Sequence, residues 1–367
     1  MTEGWLTPNA HKPMETGRFI KNGRFYSRVW GRLGLAILFT FAILSIFAGF
    51  FAPYDPAEQD RTKPSAPPSQ IRVFDNVNGQ ISRPFLYEVR LTDPLFLRYE
   101  ENRNNRNSIG FFVPGFRYSI LGIFESDLHL FGIVEGSGKV HLLGTDALGR
   151  DRFSRLVYAV RYSLIAAPVG TLLASILGIL IGLLSGYSPR IVDLTLMGAA
   201  DAMLSLPALI IILAARAAFP LDLPPERAVA LLITIFSTVG WAEMARLCRG
   251  LVRSLREREF VTAAKAMGAH PARILLFHIL PNAMGSIITQ ATVMLPAFLI
   301  AEISMSFLGV GIQEPMPSLG NMLAEASDLT RLTARPFTIL APAIVIFLIV
   351  LGVRLTAYGR NMDTDVI

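Results

Sequence analysis

Glu259-Phe-Val-Thr-Ala-Ala-Lys-Ala-Met-Gly268-Ala-His-Pro271-Ala-Arg-Ile-Leu-Leu-Phe-His278-Ile-Leu-Pro281-Asn282 separates two long apolar runs, and its punctuation decides how they are joined. Glu259 to Met267 is built of residues that favour a helix. Gly268 suits the left-handed position just past a helix end. Pro271 suits the first turn of the next helix. The stretch therefore predicts a short helix, a sharp turn and a second helix that enters the following apolar run. Ala263 and Ala264 leave a low surface over which a groove on another protein can close. Leu255, Phe260, Val261 and Met267 supply apolar grip, which is the helix-in-groove mode of recognition.

Working outward, the flanking runs have the length of membrane spans, which need about 20 apolar residues each. Ala228 to Ala242 precedes the loop and continues through Glu243 to Leu247; Ile279 to Ala301 follows it, broken by Pro281 and Pro296. Leu33 to Ala52, Tyr162 to Pro189, Leu194 to Ala215 and Pro336 to Val353 complete a predicted set of six. With 52% hydrophobic and only 17% charged residues in 367, the chain is far less charged than a soluble domain. The net charge of +6 comes from Arg residues that flank apolar runs, which suits anionic lipid headgroups and not nucleic acid. One cysteine, Cys248, excludes an intrachain disulfide, and no Cys/His spacing resembles a zinc site. The expected fold is an all-α polytopic membrane protein with a small β-containing external domain between the first and second spans.

Orientation follows from Lys and Arg in the short loops. One side would hold Lys12, Arg18, Lys21, Arg24, Arg28, Arg32, Arg190, Arg246, Arg249, Arg253, Arg256, Arg258, Lys265, Arg273, Arg354 and Arg360. The short loops of the other side hold Arg216, Arg227, Arg331 and Arg335. Both termini are therefore expected in the cytoplasm, and the first run reads as a signal anchor because Pro53 stands where a cleavage site would be needed. The organisation predicted is a cytoplasmic segment over 1–32, a first span over 33–52, an external domain and elbow over 53–155, a permease domain over 156–358 with a cytoplasmic loop over 248–280, and a tail over 359–367. Within the external part, Ile71 to Phe74, Tyr87 to Leu91, Arg117 to Leu121 and Lys139 to Leu143 read as strands, separated by turns at Asn78-Gly79 and Pro114-Gly115.

Five ordered motifs carry a family resemblance. Thr262-Ala263-Ala264-x-x-x-Gly268, followed by His278-x-Leu280-Pro281, resembles the coupling loop of ABC importer permeases. Thr262 and His278 stand where the general pattern has Glu and Ile, and both fit the branch of dipeptide, oligopeptide and nickel importers. The others are Leu143-Gly144-Thr145-Asp146-x-x-Gly149-Arg150-Asp151-x-x-Ser154-Arg155; Trp241-x-x-x-Ala245-Arg246-x-x-Arg249-Gly250; Glu302-x-Ser304-x-Ser306-Phe307-Leu308-Gly309-x-Gly311; and Pro315-x-Pro317-Ser318-x-Gly320-x-Met322-Leu323. The resemblance spans roughly 28–55 and 140–353. The family's usual tail is reduced to Leu351-Gly352-Val353-Arg354.

The resemblance implies six helices in the type I ABC importer arrangement in a bacterial inner membrane. Its implied partners are a second, homologous permease subunit, two ATP-binding subunits and an external solute-binding protein. It implies an ATPase-docking role for Phe260, Val261, Thr262, Ala263, Ala264, Met267 and Gly268. It also implies peptides as cargo, with nickel, opines or oligosaccharides as alternatives. ATP and Mg would sit on the partners, because this sequence has no G-x4-G-K-[ST] phosphate loop and the chain is not expected to be an enzyme.

A secondary transporter or channel is the competing reading, for which only Asp201 and Glu302 offer intramembrane carboxylates. Asp201 either faces a pathway or pairs structurally near the boundary; Glu302 either faces a pathway or caps its helix. Asp146, Arg150, Asp151 and Arg155 read as local ion pairs at a turn ahead of an amphipathic elbow helix, and not as an acid/base pair. Gly170, Gly178, Gly182 and Gly186 share one face and predict close helix packing, against another span or a partner permease. The external domain reads either as a tolerated insertion or as a cap that meets a solute-binding partner.

Overall fold

The computed structural model describes residues 16–75, 80–120 and 122–364. Lys12, Leu121 and the Asn78-Gly79 turn lie outside them. The chain opens with α1 (Thr16–Ile46) and α2 (Ala48–Phe51), then forms β1 (Arg72–Asp75), β2 (Gln80–Asp93), β3 (Arg98–Ile120) and β4 (Phe124–Glu135). Helices follow: α3 (Arg152–Tyr187), α4 (Arg190–Leu204), α5 (Ala208–Ala217), α6 (Pro225–Leu255), α7 (Glu259–Ala266) and α8 (Pro271–Arg273). A π-helical stretch, Ile274–Ile279, leads into α9 (Leu280–Phe307). Pro281 accounts for it: proline has no N–H and crowds the carbonyl four residues back, and the wider turn, with Leu280 N bonded to Leu275 O, relieves the crowding. The chain ends with α10 (Leu319–Ala324), α11 (Leu329–Ala334) and α12 (Pro336–Thr364).

Among the described residues five helical runs are long and apolar enough to cross a bilayer: those in α1, α3, α6, Pro271–Phe307 and α12. The expected continuous third span is instead two helices, α4 and α5, bent by 84°. Pro207 explains the break, because it lacks an N–H and steers Leu206 away from helical geometry. The pair supplies a sixth crossing when counted as one. The separate elbow helix does not form. Asp151 caps α3 directly, its Oδ2 accepting from Ser154 N at 2.7 Å.

The glycines of α3 set the centre of the bundle. A Cβ on Gly170 would come 2.9 Å from Phe236 Cβ, on Gly178 2.5 Å from Met244 Cβ, on Gly182 2.5 Å from Cys248 Cβ and on Gly186 2.7 Å from Val252 Cβ. Residues four or eight apart on α3 thus meet residues four or eight apart on α6, so the two helices run parallel in close contact. The glycine face meets another span of this same chain. At the periphery α1 runs against α12, where Gly31 approaches Gly359 and Gly34 approaches Gly352 and Thr356.

The four strands form an antiparallel sheet in chain order. Two predicted features differ. Pro114-Gly115 lies inside β3, at a register shift that makes a bulge and not a turn. Lys139 to Leu143 forms no strand; it is tied to the linker by Ser69 N to His141 O at 2.8 Å and His141 N to Ser69 Oγ at 2.9 Å. The sheet is fastened to α2 by His129, whose Nδ1 lies 2.8 Å from Gly49 O and 2.7 Å from Ala52 O, with Nε2 3.0 Å from Phe116 O.

Candidate functional site

The loop between α6 and α9 is held by its own turn chemistry. Gly268 has φ +76°, where only glycine is unstrained. Gly268 N bonds to Lys265 O at 2.9 Å and Ala269 N to Ala264 O at 3.0 Å, the paired bonds of a Schellman motif. His270 and Pro271 then start the next helix, with His270 Nδ1 accepting from Ala272 N at 3.3 Å. The result is α7 lying across the end of the bundle.

The seven residues predicted to dock a partner divide by face. Val261 and Ala264 are buried against Leu183, Val252, Ile274 and Ile279, from the ends of α3 and α6 and the π stretch. They are unavailable to another protein. Phe260, at 40% exposure, and Met267, at 81%, stay open together with Thr262, Ala263 and Gly268. The Lys265 ammonium sits 5.6 Å from the centre of the Tyr187 ring, a further tie between α7 and the end of α3. The inner face of α7 is therefore packed on the ends of α3 and α6 and on the π-helical stretch, while its outer face is bare.

Asp193, absent from the sequence reading, braces the same end. It is buried in the first turn of α4 and accepts from Ser185 Oγ at 2.5 Å and from Arg249 Nε and Nη2 at 2.8 Å each, and it also pairs with Arg253. Its isolation in sequence from α6 hid it, since its two arginine partners lie more than fifty positions away.

A half-open cavity of about 550 Å³ lies at the bend between α4 and α5, with α6 and α9 forming its other walls. Met203, Leu206, Ile212, Val239, Met294 and Phe298 give it apolar walls. Among the described residues Glu243 is its one charged lining residue, and Ser304 is the other polar side chain. Of the two carboxylates expected on a pathway, neither lines this cavity. Asp201 is 62% exposed and pairs with Arg246 at 3.5 Å. Glu302 is fully buried and turns to α3, accepting from Ser163 Oγ at 2.7 Å and from Ser306 Oγ at 3.0 Å, so it does not cap its helix.

The Gly144 to Arg155 motif forms a buried ion cluster at the opposite end. Asp146 Oδ2 accepts from Arg150 Nε at 2.6 Å, the expected i, i+4 pair. Asp151 is taken by His141 Nδ1 at 2.8 Å instead of by Arg155. Arg155 reaches Glu314 Oε1 at 2.8 Å and the carbonyls of Pro56 and Pro315, and Arg150 also pairs with Glu314. Burial works against the Arg150 charge, but the Glu314 and Asp146 carboxylates outweigh it and hold the guanidinium above its ordinary pKa. Thr145 Oγ1 accepts from Ala66 N at 2.7 Å and donates to Lys63 O at 2.6 Å. Gly144, at φ +70°, and Gly149, at φ +78°, allow the chain to press against Ala66 and Asp60. The cluster joins the linker, the start of α3 and the α9–α10 connection.

Residues 178–360 match the model of the binding-protein-dependent transport system inner membrane component, and 23–68 match the N-terminal TM domain of oligopeptide transport permease C. A dipeptide transport system permease protein of Alkalihalophilus pseudofirmus is 37% identical over 232 residues, 63% of this chain and 74% of the relative. This chain belongs to the binding-protein-dependent transport permeases. An oligopeptide transport system permease protein of Mycobacterium bovis is 33% identical to this permease over 65% of the chain and 80% of the relative. A glutathione transport system permease protein of Pectobacterium atrosepticum is 34% identical over 63% and 74%. The MetNI methionine ABC transporter in an inward-facing form aligns with 55% of the permease and 94% of its own chain at 19% identity and a TM-score of 0.41, too loosely to bear on the reading. The two family matches take in α7, Asp193 and the cavity of the permease and leave out its sheet. Family and apolar helices together make it a multi-pass inner-membrane protein.

Proposed function

We propose that this permease forms half of the translocation pathway of an ATP-driven peptide importer and receives its power stroke through α7. The observation that carries the reading is a helix with its inner face fixed to three elements and its outer face, Phe260, Thr262, Ala263 and Met267, left bare. A partner groove closing on that face would move the ends of α3, α6 and α9 together, as a rigid element biasing two states of the bundle. Peptides are the cargo class, because the relatives are named for dipeptides, oligopeptides and glutathione. The α7 end would face the cytoplasm with both termini, in line with its Lys and Arg excess, and the sheet would stand outside. A second permease, two ATP-binding subunits that hold ATP and Mg, and an external binding protein would complete the transporter.

The test is co-purification of the ATPase subunits and ATP-dependent tripeptide uptake in the Ala263→Glu and Met267→Glu variants. A loss of both, about tenfold or more, is expected from a charge placed in a closed apolar contact. Wild-type values in both variants refute docking through α7. Steady solute flux through the purified chain alone in liposomes would favour the secondary-transporter reading instead.

A further inference from the structure

Glu243 sits more than halfway along α6, in a span where a charge is costly unless it faces water or a polar partner. It is exposed, and what it faces is the apolar cavity at the α4–α5 bend. Among the described residues no cation lies within ion-pairing distance of it. Arg246, one turn on along α6, is engaged by Asp201. Within the strip made by Asp201, Glu243 and Arg246, Glu243 is therefore the charge left without an ion pair among the described residues; Arg249, further along α6, is held by Asp193. A single carboxylate with one hydroxyl, Ser304, is too sparse a donor set for a metal ion, which takes several oxygens. It suits an organic cation that passes without being trapped, while the smooth apolar walls tolerate varied side chains.

We propose that Glu243 selects for a positively charged group on the cargo, so that the permease itself, beyond its binding protein, favours cationic peptides. This rests on the peptide-importer reading above.

The whole transporter, with its binding protein, is reconstituted in liposomes, and ATP-driven uptake of Ala-Lys-Ala and Ala-Glu-Ala is measured side by side. The readout is the ratio of the two rates, which poor assembly cannot mimic because it lowers both. Glu243→Gln is expected to lower the Ala-Lys-Ala to Ala-Glu-Ala ratio about tenfold, Glu243→Lys to lower it further, and Glu243→Asp to keep it near wild type. Should Glu243→Gln assemble too poorly to read, Ser304→Lys puts a cation on the facing wall and carries the same expectation. A ratio unchanged by these variants, with robust wild-type uptake, overturns the role of Glu243 and leaves the importer reading standing. Wild-type liposomes that take up neither peptide overturn the importer reading, and the role of Glu243 with it.

Discussion

Ala263 and Ala264 are adjacent, alike in chemistry and opposite in consequence. Ala264 is buried against Leu183, Val252 and Ile274, so Ala264→Glu forces a carboxylate into the chain's own core and should cost several kcal/mol. Ala263→Glu leaves that core intact, because its side chain is exposed. Thermal unfolding in detergent should therefore drop for Ala264→Glu and hold for Ala263→Glu; equal drops would place the two faces wrongly. Gly268 belongs to the same scale. Its φ of +76° costs an L-residue about 1–2 kcal/mol, and no neighbour crowds the space where a Cβ would stand. Gly268→Ala should thus lower stability by about that amount through the backbone alone, and a neutral melting curve would count against it. The motif letters were readable in sequence, but not which alanine turns inward, because that depends on where the ends of α3 and α6 lie.

At the scale of elements, α3 against α6 is the contact on which the bundle is organised. Gly182 has Cys248 Cβ and Ala245 O within 2.6 Å of any added Cβ, backbone and short side chain alike, so nothing can swing aside. Gly182→Leu should cost at least the roughly 1–3 kcal/mol typical of overpacking. Gly250, exposed on α6 with nothing near, is the control: Gly250→Ala should be neutral or stabilising by up to about 1 kcal/mol from helix propensity. Similar melting temperatures for the two variants would remove the close approach as an explanation. The glycine spacing announced a packed face; that its partner is a parallel span of the same chain came from the fold. The bend at Pro207 was equally open to reading, since the proline stands inside the apolar run, yet a proline in a span can kink a helix slightly or turn it by 84°.

For the whole molecule, the ion cluster around Asp146 is what keeps the outer segment and the bundle in one piece. Asp146 and Arg150 are both buried, and the Arg155 guanidinium, almost wholly enclosed, lies 3.6 Å away. Asp146→Asn strips the charge from a buried pair while its guanidinium partners remain, a change that typically costs about 3–5 kcal/mol. Protease cleavage in the 56–66 linker should quicken in this variant while the spans stay inserted; unchanged cleavage would show that Glu314 alone suffices. The sheet adds a second tie through His129 to the end of α2, so the outer segment is seated on the first span as well as on the ion cluster.

The sequence by itself determined the membrane class, the number of apolar runs, the turn at Gly268 and the family motifs, because these depend on local hydropathy, backbone freedom and spacing along one chain. Only the tertiary structure decided which residues of α7 face outward, that Asp193 gathers Arg249 and Arg253, that Glu302 turns to Ser163, and that Glu243 lines the cavity at the α4–α5 bend. Each of those is a relation between segments far apart in the chain, and a charge takes its meaning from what surrounds it in space, which periodicity along one helix does not contain.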